Sequence, residues 1–207
     1  MKIVFFGDSI TDMGRARDVD GQAFGYGVGY VNSIASTLKY EDPKKYEIIN
    51  RGIGGNRIVD LYARIKADVW NFNPDVLSVL IGVNDVWHEQ WGNGVDLERF
   101  EKIYRMLIED TKQRFPNIKF ILCEPFILKG SATEEIFEEL CEVKKYALVV
   151  KKLAKEYGTG FVALQDNFDK AAEKHGSPFY LYDGVHPDIA GGKLIAEEWL
   201  KTFKFLE

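Results

Sequence analysis

Residues 2–11 read Lys2-Ile3-Val4-Phe5-Phe6-Gly7-Asp8-Ser9-Ile10-Thr11. Ile3, Val4, Phe5 and Phe6 are apolar without alternation, the pattern of a short strand covered on both faces. Gly7, Asp8 and Ser9 then stop the run with residues that turn the chain and cap helices. Four later runs have the same character, at residues 46–50, 76–81, 119–123 and 160–164. Segments with helical periodicity separate them, at residues 29–38, 58–71, 97–115 and 137–157. A shorter helix is expected at 167–175 and a last one at 187–203. In 137–157, Leu140, Val143, Ala147, Val150 and Leu153 recur at helical spacing and form one buried stripe. Strands alternating with helices predict an α/β fold of three layers around a parallel sheet. No repeat, low-complexity tract or linker divides the chain, so residues 1–207 are read as one domain.

Composition narrows the function. The chain has 207 residues, 46% hydrophobic and 29% charged, as in a soluble globular protein with a full core. A net charge of −5 argues against nucleic acid or an anionic membrane as the main partner. No run approaches the roughly 18 apolar residues that cross a bilayer. The apolar run at 3–6 is too short for a signal-peptide core and has no small-residue cleavage site, so a cytoplasmic protein is expected. Cys123 and Cys141 fit a reducing compartment and read as small hydrophobes. The many aromatic residues permit a homo-oligomer without requiring one.

In an open parallel sheet, ligands bind outside the carboxyl ends of the strands. Ser9 follows the first strand, Gly52-Ile53-Gly54-Gly55-Asn56 the second, and Gly82-Val83-Asn84-Asp85 the third. These clusters should meet at one edge. Each has a plain reading as a turn or helix cap. Each also has a chemical one: Ser9 as an exposed nucleophile with its own N–H facing the reacting oxygen, and Gly55 N–H and the Asn84 amide as further oxyanion donors. Of the three histidines, His175 reads as a surface residue, and His88 sits where it lines a pocket. His186 follows Asp183 by three residues in Asp183-Gly184-Val185-His186-Pro187. In a turn, that spacing brings the carboxylate to one imidazole nitrogen and leaves the other for Ser9, if the last helix packs beside the first strand. Ser9, His186 and Asp183 are thus a parts list for acyl transfer through a covalent serine intermediate. Asp8 braces the turn, and stands with Trp87 and Tyr182 as a candidate for contact with substrate. Trp87, Trp91, Tyr26 and Tyr30 fall in or near the site loops, either as sugar platforms or as core.

Together the four blocks resemble the SGNH/GDSL hydrolases, whose Ser, Gly, Asn and His match Ser9, Gly55, Asn84 and His186 in order. The resemblance spans Gly7 to Pro187. It implies a flavodoxin-like α/β/α sandwich with a five-stranded parallel sheet. It also implies a triad of Ser9, Asp183 and His186, with an oxyanion hole of Ser9 N–H, Gly55 N–H and the Asn84 side chain. Longer stretches look like the intracellular acetylxylan esterases: the one running from Gly7 to Arg17, Gly29-Tyr30-Val31, Asn50-Arg51-Gly52-Ile53, and the one from Ile81 to Trp87. Two departures stand out: Tyr182 where those esterases carry Trp, and Gly54 where many relatives carry Ser. The implied substrate is a small acyl ester or acetylated oligosaccharide, with no metal or cofactor. A lysophospholipase or thioesterase of the same superfamily is the nearest alternative. A metal-dependent phosphohydrolase and a non-enzymatic flavodoxin-like binding module are the alternatives from other classes.

Overall fold

The first strand shows why the sheet is covered twice. In β1 (Lys2–Gly7), Ile3 and Phe5 enter one apolar core, Val4 and Phe6 the other, and all four are fully buried. The computed structural model describes residues 1–206. After β1 come α1 (Ser9–Asp12), α2 (Tyr30–Glu41), β2 (Glu47–Gly52), α3 (Ile58–Asp68), β3 (Val76–Leu80), α4 (Val83–Trp87) and α5 (Leu97–Arg114). They are followed by β4 (Lys119–Cys123), α6 (Phe137–Leu140), α7 (Val143–Tyr157), β5 (Gly160–Val162), α8 (Gln165–His175) and α9 (Ile189–Lys204). Among the described residues the strands form one five-stranded parallel sheet, ordered β2-β1-β3-β4-β5. Helices α2 and α9 cover one face, while α3, α5 and α7 cover the other. This is the three-layer α/β/α sandwich expected. The order reverses at β1, between β2 and β3, which opens a crevice at the carboxyl ends of those three strands.

Several boundaries differ from the expectation, each for a local reason. The helix expected at 137–157 is two. Around Cys141 and Glu142 the backbone tightens to i→i−3 hydrogen bonds, Glu142 to Glu139 and Lys144 to Cys141. Leu140 and Val143 face one core, whereas Tyr146, Val149, Val150 and Leu153 face the other. One continuous stripe therefore does not serve both. The segment expected at 58–71 leaves the α-helix after Asp68 and ends in a 3₁₀ turn, Trp70–Phe72. The last helix starts at Ile189 because the Asp188 carboxylate caps it. Strand β5 stops at Val162, two residues short of the expected end. Helix α4 lies where a turn and loop were expected.

One buried contact sets the position of α9. Trp199 packs against Phe5 at 5.0 Å between ring centroids and stacks on Phe203 at 4.9 Å. Its indole N–H donates to the Ser78 hydroxyl in β3 at 2.9 Å, with both residues fully buried. That anchor fixes α9 on this face of the sheet, and with it the direction from which the preceding loop arrives. Ser78→Ala leaves the indole N–H without an acceptor, and is expected to cost about 1–3 kcal/mol of stability. In urea unfolding this appears as a lower midpoint at unchanged slope. An unchanged midpoint would show that the anchor contributes nothing.

Candidate active site

At the end of β1 the chain turns at Gly7, where a Cβ would lie 2.3 Å from Thr11 Oγ1 and 2.5 Å from the Leu80 carbonyl oxygen. Only glycine lets the turn pack this closely. Asp8 caps α1 by accepting the Ile10 N–H at 2.9 Å. Ser9 is the first residue of that helix, so its N–H has no intrahelical partner, and it finds no acceptor among the described residues. Its hydroxyl lies 2.8 Å from His186 Nε2.

His186 is held by a compact loop. Leu181 and Pro187 form an antiparallel bridge, and Gly184 turns between them at φ +101°. The Asp183 carboxylate accepts the Val185 N–H (2.9 Å) and His186 N–H (2.8 Å) through one oxygen, and meets His186 Nδ1 at 2.7 Å through the other. Burial pushes Asp183 up, but these three bonds outweigh it and hold the carboxyl below its ordinary value. The Asp183 bond in turn raises the imidazole above its ordinary value, against burial that pulls it down. An ionised Asp183 requires the proton on Nδ1, which leaves the Nε2 lone pair for the Ser9 hydroxyl. The segment after β4 braces the loop: Leu128 N–H donates to the Gly184 carbonyl at 2.9 Å, and Ala132 N–H to that of Asp183 at 3.0 Å.

The second strand supplies the facing wall. Gly54 N–H donates to Asp12 at 3.1 Å, whereas Gly55 N–H has no acceptor among the described residues. Gly55 adopts φ +77°, a conformation that favours glycine. A side chain at Gly54 would reach ordinary contact with Ser9 Cβ, at 3.8 Å, so glycine there leaves space beside the serine. Asn84, in the first turn of α4, is 6% exposed and donates one amide hydrogen to the Asn56 carbonyl at 3.1 Å. Its other amide hydrogen has no partner among the described residues. The structure therefore brings Ser9, Gly55, Asn84, Asp183 and His186 to one edge of the sheet. A hydroxyl, a hydrogen-bonded base with an oriented carboxylate, and unsatisfied N–H donors are what acyl transfer uses.

The candidate substrate contacts divide. Tyr182 stacks on the His186 ring at 5.8 Å and 17°, and Trp87 lies 6.5 Å from it. Both flank the imidazole. Asp8 is not on the cleft surface: it is 1% exposed, committed to its cap, and pushed by burial up to about 7. Tyr26 and Tyr30 are core residues, bonded to the Gly21 carbonyl and the Thr11 hydroxyl, and are no platform for a sugar. Trp91 is exposed and packs edge-on against His88, which sits next to Gly55. His175 is exposed, away from the cluster. Cys123 is buried and Cys141 half-buried, both as free thiols. Among the described residues no group of three or more His, Cys, Asp or Glu side chains gathers as a metal site, and no helix is long and apolar enough to cross a membrane.

Sequence reading missed the groups that hold these loops. Arg64 in α3 donates to the Gly7 carbonyl (3.0 Å), the Arg51 carbonyl (2.9 Å) and the Asn56 side chain (2.7 Å), with its guanidinium 4.4 Å from the Phe6 ring centroid. Buried Asn50 donates to the Thr11 and Tyr26 carbonyls and accepts the Gly52 N–H. Arg15 and Arg17 both donate to the Gly52 carbonyl. Their partners are mainly backbone carbonyls joined only by the fold, so no spacing announces them.

The chain belongs to the GDSL-like lipase/acylhydrolase family, whose profile matches residues 5–194, and is a carboxylic ester hydrolase. It is 34% identical to an acetylxylan esterase of Geobacillus stearothermophilus over 211 aligned residues, which cover 99% of this chain and 94% of that one. The solved structure of the acetylxylan esterase from that organism superposes with a TM-score of 0.86, covering 97% of this chain and 93% of the other. A Parabacteroides merdae protein classed as a GDSL-like lipase is 38% identical and superposes at 0.90, covering 98% and 95%. Structures of the Geobacillus esterase include catalytic mutants in which a serine, an aspartate, or a histidine three positions beyond that aspartate is replaced by alanine.

Arg64 is a positioning residue, since it fixes the turn before Ser9 and the loop bearing Gly55 without touching either residue. Arg64→Ala is expected to lower kcat on p-nitrophenyl acetate by about 10–100-fold, the effect of displacing reacting groups by up to an ångström. KM should change little. Arg64→Lys should fail to restore kcat, because an ammonium does not span three acceptors. Full rescue by lysine would contradict this role.

Proposed function

We propose that the protein removes acetyl groups from xylo-oligosaccharides or related sugars, using Ser9 as nucleophile, His186 as base and Asp183 to orient it. The observation that carries this reading is the hydrogen-bond line from Asp183 through His186 to Ser9, at 2.7 and 2.8 Å, ending beside free N–H donors. Similarity to an acetylxylan esterase supports the acetyl and sugar assignment. That enzyme's catalytic mutants, with the same three-residue step from aspartate to histidine, support the triad.

In the first step His186 Nε2 takes the Ser9 proton while Ser9 Oγ attacks the acetyl carbonyl. The developing oxyanion meets Ser9 N–H, Gly55 N–H and the remaining Asn84 amide hydrogen. The tetrahedral intermediate collapses, the C–O bond to the sugar breaks, and the sugar oxygen receives the proton from His186. Water, deprotonated by His186, then attacks the acetyl-enzyme, and Ser9 recovers its proton as acetate leaves. Asp183 fixes the tautomer and stabilises the imidazolium formed in each step. The ester enters a cavity of about 580 Å³ lined by Ser9, Met13, Arg17, Val28, Tyr182 and His186.

Ser9→Ala is expected to lower turnover of p-nitrophenyl acetate and acetylated xylose by about a thousandfold or more, with the melting temperature near wild type. Wild-type rates should fall from acetate through butyrate to octanoate. Rates rising toward octanoate would move the substrate to lipid esters or thioesters, and an active Ser9→Ala would end the proposal.

The pH profile tests the base. Nε2 accepts a proton only when the imidazole is neutral, and Asp183 holds it charged to higher pH. The acid limb of kcat/KM is therefore expected above the ordinary histidine value of about 6.5. Asp183→Asn should lower the rate severely and shift the limb to lower pH. A limb that stays in place in Asp183→Asn would contradict the coupling.

A further inference from the structure

Trp87 flanks the His186 ring at 6.5 Å between centroids. With Trp91, Ala132 and Ile136 it also lines a depression of about 280 Å³. Ala132 is the residue whose N–H holds the Asp183 carbonyl, so this depression begins at the loop that carries Asp183 and His186. Trp87, Gln90 and Ile136 also border a larger groove of about 640 Å³, between the α4–α5 connection and α6. Its apolar walls include Val95, Leu140 and Tyr146. Such a volume lies in the range of about 300–1,000 Å³ usual for small-molecule sites.

The charged groups that line this groove are all carboxyl groups, with Gln90 as a neutral polar neighbour, and just outside it Lys145 pairs with Glu142 at 2.7 Å and Arg99 with Asp96 at 3.7 Å. Glu89, Asp96, Glu139 and Glu142 are exposed along it, and no Lys, Arg or His is among the described residues that line it. Asp85 also lines it, although only 1% exposed. One Asp85 oxygen accepts the Ile58 N–H at 3.0 Å, and the other is buried without a protein partner. Burial pushes this carboxyl up to about 8.

We propose that this groove is a distal sugar subsite, holding a neutral pyranose unit of the same oligosaccharide whose acetyl ester reaches Ser9. The inference rests on the acetylesterase reading above. The half-buried Trp87 ring suits the C–H face of a sugar, and the exposed carboxylates accept from its hydroxyls in charge-assisted hydrogen bonds. An alkyl chain in the same groove would strip water from those carboxylates and return no hydrogen bond. An acidic sugar would meet charges of its own sign.

The test compares acetylated xylose, xylobiose and xylotriose, with p-nitrophenyl acetate as the reference ester, in wild type, Ile136→Trp and the double variant Glu139→Ala/Glu142→Ala. Ile136→Trp fills the seam between the two spaces, and the double variant removes rim acceptors from exposed positions. Wild type should gain about tenfold in kcat/KM from xylose to xylotriose, the effect of one hydrogen bond to a charged group. In both variants the ratio of xylotriose to p-nitrophenyl acetate kcat/KM should fall by about as much. Equal kcat/KM for xylose and xylotriose in wild type would overturn the subsite while leaving the acetylesterase standing. A length gain that survives in the double variant would overturn it as well, as would inhibition by tetramethylammonium but not by unacetylated xylotriose. Wild type inactive on every sugar ester yet active on p-nitrophenyl acetate would overturn the sugar reading beneath it.

Discussion

The site depends on one contact between distant parts of the chain, the 2.8 Å approach of Ser9 Oγ to His186 Nε2 across 177 residues. Neither side makes it alone. Ser9 is placed by the end of β1 and the cap at Asp8, and His186 by the turn that wraps the Asp183 carboxylate. The two meet because α9 packs beside β1, which in turn rests on Trp199 against Phe5 and Ser78. A core contact under the sheet thus sets a distance above its edge. Packing errors of an ångström there would propagate to the proposed chemistry, since close-packed interiors transmit strain.

A second constraint is the supply of unsatisfied donors. Most backbone N–H groups in a folded protein are paired. Here Ser9 N–H begins a helix, and Gly55 N–H follows a Gly54 N–H that Asp12 accepts; neither Ser9 N–H nor Gly55 N–H has an acceptor among the described residues. Arg15, Arg17, Arg64 and Asn50 spend their own donors on the carbonyls of the same loops. The loops are held from behind, so the front remains open for a ligand oxygen without reorganisation.

Much of this was legible before any coordinates. The non-alternating apolar runs announced strands buried on both faces, and the alternation with helices announced the sheet. Gly-Asp-Ser, Gly-Gly-Asn, Val-Asn-Asp and Asp-x-x-His gave the residues that gather at the edge. Less legible were positions decided by tertiary contacts. Tyr26 and Tyr30 lie near the site in sequence, yet their hydroxyls find partners within the core and their rings are buried. Asp8 looked available to a substrate, but its cap bond and burial withdraw it. The break between α6 and α7 follows from two cores claiming successive parts of one periodic segment, which a hydrophobic stripe alone does not show. The groove beyond Trp87 draws on α4, α6 and α7, and no local pattern joins them.

The most direct measurement of the central claim is covalent trapping. Treating the protein with a fluorophosphonate and mapping the adduct by peptide mass spectrometry reads which side chain is the activated nucleophile. A single adduct on Ser9 is expected, matched by loss of esterase activity, with little or no adduct in His186→Ala. An adduct on another residue, or undiminished labelling of Ser9 without His186, would contradict it.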